Sequence, residues 1–214
     1  MNSPAQKSPF RIAVLISGAG TTLGNLIERK KQGSFSPIIA LVGSSKADAG
    51  GLEIAKTAGI PSFVASLRQF KNERQFSESI FRQCRNADVN LVVLAGFLKR
   101  LVIPDDFVNR VINIHPSLIP SFSGAGFYGK KVHQAVLDFG CKVSGCTVHI
   151  VDEHFDHGPI IAQQSVAVAP DDTAETLAAR VFAEECRLYP DVINRIASEG
   201  MAVVNRNVRF GKRP

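Results

Sequence analysis

The sequence predicts an α/β fold: an open, mostly parallel sheet flanked by helices, with an antiparallel strand addition in the C-terminal half. Three observations carry this prediction. Short apolar runs without helical period recur at 12–17, 37–42, 90–95 and 111–114, the texture of strands buried on both faces. Segments with helical spacing lie between them, so strands and helices alternate as in βαβ units. After Gly124 the texture changes, and two strand-like runs at 143–151 and 160–168 follow one another like the arms of a hairpin.

Each element has its own warrant. IAVLIS (12–17) ends in GAGTT, and a helix follows over 22–31. The run at 37–42 leads through a Gly/Ser/Asp loop into a helix at 52–58. Residues 70–85 are amphipathic, with Phe70, Phe76, Ile80, Phe81 and Cys84 on one face. Strands at 90–95 and 111–114 come next, then a helix at 130–137 before the hairpin strands. Thr173 is a good N-cap, with Glu175 and Thr176 in the first turn of a helix running to about Tyr189. Pro190 lacks the N–H a helix needs, so a break is expected before a last helical piece at 192–198. Residues 201–204 and 207–210 would close as a small hairpin around Asn205-Arg206. No repeat, linker or low-complexity tract interrupts the chain. Residues 11–214 therefore read as a single domain behind a loose polar arm at 1–10.

Of the 214 residues, 45% are hydrophobic and 21% charged, which suits a globular protein with a sizeable core. No apolar run approaches the roughly 20 residues of a membrane span. The polar N-terminus lacks a signal-peptide stretch, so a cytoplasmic protein with no membrane partner is expected. Cys84, Cys141, Cys146 and Cys186 form no CxxC pair and read as free thiols of a reducing compartment. The net charge of +6 is partly a tail, RNVRFGKRP, with four basic residues and no acidic one. With no Trp, two Tyr and no RNA-binding signature, small anionic ligands fit this charge better than nucleic acid.

Three segments carry chemistry. GAGTTL (18–23) follows the first strand and opens a helix, where exposed N–H groups favour an anion. It has no GK[ST], and Leu23 takes the third glycine position of a dinucleotide fingerprint. Gly20, Thr21 and Thr22 suit one phosphate; a purely structural β–α turn is the alternative. In INIHPSLIPS (112–121), Asn113 and His115 stand two apart at the carboxyl end of a strand and point to one side. Pro116 keeps His115 out of helical geometry. An amide donor beside an imidazole suits direct acyl transfer, the amide for an oxyanion and the imidazole for a proton. A core histidine with a capping asparagine is the structural alternative. DEHFDHGP (152–159) offers carboxylates and, with His149, the spacing HxxxxHxxH. It lacks HExxH, and no metal is expected. Asp156, with Asp152 and Glu153 as alternatives, would orient His115 and raise its pKa. LAGFLKRL (94–101) could line an apolar pocket or simply end a strand. Glu185 could bind a polar ligand or pair with Arg180.

Together, VLISGAGTTL, VVLAGFLKRL, INIHPSLIPSF and GCTVHIVDEHFDHGPIIAQ resemble the phosphoribosylglycinamide formyltransferase family of purine (IMP) synthesis, over about residues 11–190. The resemblance implies a Rossmann-like fold and formyl transfer from 10-formyltetrahydrofolate to the amine of glycinamide ribonucleotide, without metal. It implies that Asn113, His115 and Asp156 are catalytic and that Gly20, Thr21 and Thr22 hold the substrate phosphate. It further implies that Leu98, Lys99, Arg100 and Leu101, with Asn113, contact folate, and that Pro116 and Glu185 contact substrate. Two departures stand out: GAGFYG (124–129) is inserted after the HPSLIP element, and Lys71 or Arg74 stands where an arginine is usual. Rivals are a formyltetrahydrofolate deformylase, a methionyl-tRNA formyltransferase and a non-catalytic anion- or RNA-binding module. The two enzymes usually carry an extra domain for which this sequence has no room. Monomer and homodimer are both compatible with the sequence.

Overall fold

The structure, a computed structural model, describes residues 9–211. The expected arm at 1–10 falls outside it except for its last two residues, as do the last three residues of the basic tail. Strands β1 (Arg11–Ile16), β2 (Ile38–Ser44), β3 (Ser62–Val64), β4 (Leu91–Leu94) and β5 (Val111–His115) pair in parallel. Strands β6 (Val143–Ile150) and β7 (Ile160–Ala167) extend the sheet antiparallel, giving the order β3-β2-β1-β4-β5-β6-β7. The strand β3 was not anticipated. It is three residues long with two of them exposed, too short to leave a period.

The continuous apolar texture of β1 has a direct cause. Ile12, Val14 and Ile16 face one core, with Leu23 and Leu26 of α1 (Thr21–Lys31) and Leu177, Val181 and Ile193 of α5 (Ala174–Glu199). Ala13 and Leu15 face the other, with Phe76, Ile80 and Phe81 of α3 (Glu73–Asn86). Period-two alternation feeding two apolar layers reads as an unbroken run. The helix α3 begins three residues later than expected. Asn72 accepts the Gln75 N–H at 2.9 Å as its N-cap. Phe70 lies ahead of that cap in extended backbone, and its ring still meets Phe76 edge-on at 5.9 Å. The helices α2 (Gly51–Thr57) and α4 (Lys130–Asp138) lie where predicted.

Pro190 does not break the last helix: α5 is continuous across it. Proline cannot donate to the carbonyl four residues back, that of Cys186. That carbonyl instead accepts from Asn25 Nδ2 at 3.0 Å and Arg29 Nη2 at 3.4 Å, both on α1. Two side chains of a neighbouring helix thus replace the lost hydrogen bond. One residue earlier, the buried Tyr189 hydroxyl lies 3.0 Å from the Leu94 carbonyl and 3.1 Å from that of Ile112, fixing α5 against β4 and β5. The hairpin β8 (Met201–Val204)–β9 (Asn207–Phe210) forms as expected, with Asn205 and Arg206 both at positive φ. No helix among the described residues is long and apolar enough to cross a membrane.

Candidate active site

Connections leave β1 toward β2 on one side and reach β4 on the other, so the order reverses between β1 and β4. Ligands of open α/β sheets bind outside the carboxyl strand ends at such a switch point. A cleft of about 690 Å³ lies here, lined from the ends of β1, β2, β4 and β5 and closed by α5 and the 152–156 turn.

The first wall is the GAGTTL turn. Gly20 is the N-cap of α1 at φ 78°, and a Cβ there would meet Gly51 Cα at 2.5 Å, so glycine is required twice over. Thr21 and Thr22, the first residues of α1, line the cleft; Gly20 shapes the turn without lining it. Ser45 and Lys46 beyond β2 join them, two residues the sequence reading missed. Ser17 Oγ meets Ser45 Oγ at 2.7 Å and accepts the Leu98 N–H at 3.0 Å, tying three strand ends together. Free helix N–H groups, hydroxyls and one ammonium are a fit environment for a phosphate.

The second wall holds Asn113, His115 and Asp156. His115 is 4% exposed, and its Nε2 donates to the Phe122 carbonyl at 2.9 Å. Its Nδ1 faces Asp156 Oδ2 at 3.3 Å. Asp156, at φ 52°, also accepts the Gly124 N–H at 3.0 Å, so the GAGFYG segment (124–129) shapes the site through this backbone donor. Asp152 and Glu153, the alternatives, do not contact His115: Asp152 pairs with His157 at 2.7 Å, and Glu153 is exposed.

Burial, which the sequence does not show, opposes the expected influence of Asp156 on His115. Asp156 does push the His115 pKa up, as does the Phe122 carbonyl. Burial pushes it down more strongly, and His149 adds to that, so the net direction is below the usual histidine value. For Asp156, burial raises the pKa. The opposing effects of His149, His115 and the Gly124 N–H together outweigh it, and the carboxylate lies below its ordinary value.

His149 is a site residue to which the sequence reading assigns no role. Strand β6 pairs with β5 in a register that sets His149 directly opposite Asn113. Its Nδ1 donates to the Ile150 carbonyl at 2.9 Å, leaving Nε2 to accept from Asn113 Nδ2 at 3.1 Å. The second amide N–H of Asn113 is held only loosely, by Asp156 Oδ1 at 3.4 Å. No short motif could have shown this pairing; the β5–β6 register alone creates it.

The remaining predicted residues fall as follows. Leu98, Lys99, Arg100, Leu101, Pro116 and Glu185 all line the cleft, with Leu98 half-exposed and Leu101 buried. Glu185 does not pair with Arg180, which binds Asp172 at 2.6 and 2.8 Å. Burial alone pushes the Glu185 carboxyl up to about 7. Lys71 and Arg74 lie near the start of α3 and do not line the cleft; Arg100 supplies a guanidinium there, paired with Glu73 at 3.2 Å. The four cysteines are free, and burial pushes the Cys84 and Cys146 thiols up to about 12. Among the described residues, a cluster able to hold a metal comprises Asp152, His154 and His157, without His149.

An amide, two histidines and a carboxylate at the switch point of an open α/β sheet are groups suited to acyl transfer. The formyl transferase family profile matches residues 10–193, and the chain belongs to that family. A chloroplastic phosphoribosylglycinamide formyltransferase of Vigna unguiculata is 39% identical over 88% of this chain, which spans 61% of that relative's length. The phosphoribosylglycinamide formyltransferase of Haemophilus influenzae is 39% identical over 94% of this chain and 92% of its own. A crystal structure of glycinamide ribonucleotide transformylase 1 from Symbiobacterium toebii is 37% identical and superposes with a TM-score of 0.90, covering 99% of both chains. A formyltetrahydrofolate deformylase of Pseudomonas syringae, 23% identical with a TM-score of 0.83, shares the fold.

Proposed function

We propose that this protein transfers the formyl group of 10-formyltetrahydrofolate to the amino group of glycinamide ribonucleotide, a step of purine synthesis. The observation that carries this reading is the His115–Asp156–Asn113–His149 cluster at one end of a cleft whose other end offers Thr21, Thr22 and Lys46. A substrate with a phosphate at one end and an amine at the other matches both ends. The apolar flank formed by Phe97, Leu98 and Leu101 suits a pteridine ring, and Arg100 suits its anionic tail. Glu185 faces the same cleft, where its carboxyl suits a polar group of the phosphate-bearing substrate.

The geometry supports the following roles. The amine attacks the formyl carbon, forming a C–N bond while the carbonyl pair moves onto oxygen. Asn113 stabilises that oxyanion through the N–H it shares only weakly with Asp156. Nδ1 of the neutral His115 ring, the nitrogen that does not donate to Phe122, takes the proton the amine nitrogen releases, and Asp156 beside it stabilises the imidazolium so formed. When the bond to the folate nitrogen breaks, His115 returns the proton to that nitrogen. Pro116 aims the pair as the chain leaves β5. No covalent enzyme intermediate and no metal are needed. We propose residues 11–214 as one catalytic domain acting on small molecules in the cytoplasm.

The test is folate absorbance turnover with and without glycinamide ribonucleotide. Turnover that needs the amine supports the reading. Turnover without it would make the protein a deformylase, and none at all a binding module.

A further inference from the structure

We propose that Asp152, His154 and His157 form a site for a transition-metal dication of the zinc class at the mouth of the cleft, and that an ion bound there clamps the turn carrying Asp156. Its relevance to turnover rests on the role given to Asp156 above; the binding itself does not.

One ligand atom from each of the three side chains lies within 4.8 Å of the others. Two imidazole nitrogens and one carboxylate oxygen suit zinc and its neighbours in the first transition row, and do not suit magnesium or calcium. The carboxylate is already oriented. Asp152 Oδ1 accepts the His154 backbone N–H at 2.9 Å, which turns Oδ2 toward His157 Nδ1 at 2.7 Å. Hydrogen bonds that orient a ligand in this way are what metal sites commonly use. The two imidazoles meet edge-on with centroids 5.3 Å apart, and both are exposed, so water can complete the coordination.

The backbone bearing these donors is pinned on several sides. Gly158 packs on the Ile150 carbonyl so closely that any Cβ would overlap it. Arg100 Nε holds the Glu153 carbonyl at 3.1 Å, and Arg206 Nη2 holds that of His157 at 2.5 Å. Bringing three donors to about 2.0–2.2 Å from one ion therefore asks only for side-chain rotation. The charge balance permits it. Asp152, Glu153 and Asp156 place three carboxylates in this turn, while the guanidiniums of Arg100 and Arg206 bond its backbone carbonyls and Arg100 is already paired with Glu73. Asp156 stands between the two histidine ligands in sequence, so an ion joining them restrains the carboxylate that faces His115. His149 is not part of this cluster: it points into the active site on Asn113, and Asp152 supplies the third donor.

The test is a calorimetric titration of the tag-free, chelator-stripped full chain with zinc chloride, then amide hydrogen exchange with and without zinc. One saturable zinc ion per chain is expected, weakened by about tenfold or more in His154→Ala and in His157→Ala. Exchange across 152–158 should slow with zinc in the parent and not in the variants. Both side chains are exposed, so neither change removes core contacts. Absence of one-site zinc binding, equal binding in both variants, equal affinity for magnesium, or unchanged exchange across the turn would each overturn the proposal.

Discussion

Replacing Asp156 by Asn removes one charge while keeping an acceptor for the Gly124 N–H, which now receives a carboxylate oxygen at 3.0 Å. The Asp156–His115 separation of 3.3 Å sets the scale. At an effective dielectric of about 20, two unit charges at that distance interact by about 5 kcal/mol. That is an upper limit on what Asp156 contributes to the imidazolium formed during transfer. At 1.36 kcal/mol per decade, turnover should fall by about 10²- to 10⁴-fold, with the KM for the phosphate-bearing substrate nearly unchanged. The pH profile provides an independent check. In the proposed mechanism turnover needs His115 neutral, so activity falls at low pH, with a midpoint below the usual histidine value because burial already lowers this group. Without Asp156 the group loses its main upward influence, and that acid limb moves lower still. Stopped-flow absorbance of folate product across pH 5 to 9 reads both quantities, provided the unfolding midpoint shows the variant folded. A variant within about fivefold of the parent, equivalent to about 1 kcal/mol, refutes the assignment. So does an acid limb that stays in place or moves up.

Three further outcomes are expected. Lys46→Ala should raise the KM for the phosphate-bearing substrate by about 10- to 100-fold, the worth of one charged hydrogen bond, with a small change in kcat; steady-state kinetics checks this, and an unchanged KM would remove Lys46 from the phosphate site. His149→Ala frees the Asn113 amide that it holds at 3.1 Å, so kcat should drop by about tenfold while phosphate-substrate binding survives. Glu185→Gln should stabilise the fold at pH 8 and not at pH 4. With a folded value of about 7 against an ordinary 4.5, the native state binds more protons, so stability fades as pH rises through that window. The gain at pH 8 is at most about 3 kcal/mol in urea unfolding, and no gain would contradict the burial of this carboxylate.

What the sequence made legible follows from the range of the forces involved. The buried strands, the Thr173 cap and the Asn205-Arg206 hairpin announced themselves because their signals are local: period, cap chemistry and turn residues. The Asn113/His115 pair was visible because two residues on one strand share a face. Pro190 misled because the side chains that satisfy the Cys186 carbonyl sit about 160 residues away, on α1. Lys46 and His149 were missed for the same reason. One reaches the cleft through the parallel pairing of β1 with β2, the other through the antiparallel register of β5 with β6. The direction of the His115 pKa also needed three dimensions: proximity to a carboxylate was legible, and the degree of burial was not.

The most direct test of the account is the fate of the formyl carbon. With 10-formyltetrahydrofolate labelled at that carbon, mass spectrometry of a reaction containing glycinamide ribonucleotide should find the label in the formylated amide, one per folate released. Label recovered as free formate, with the amine unmodified, would contradict direct transfer.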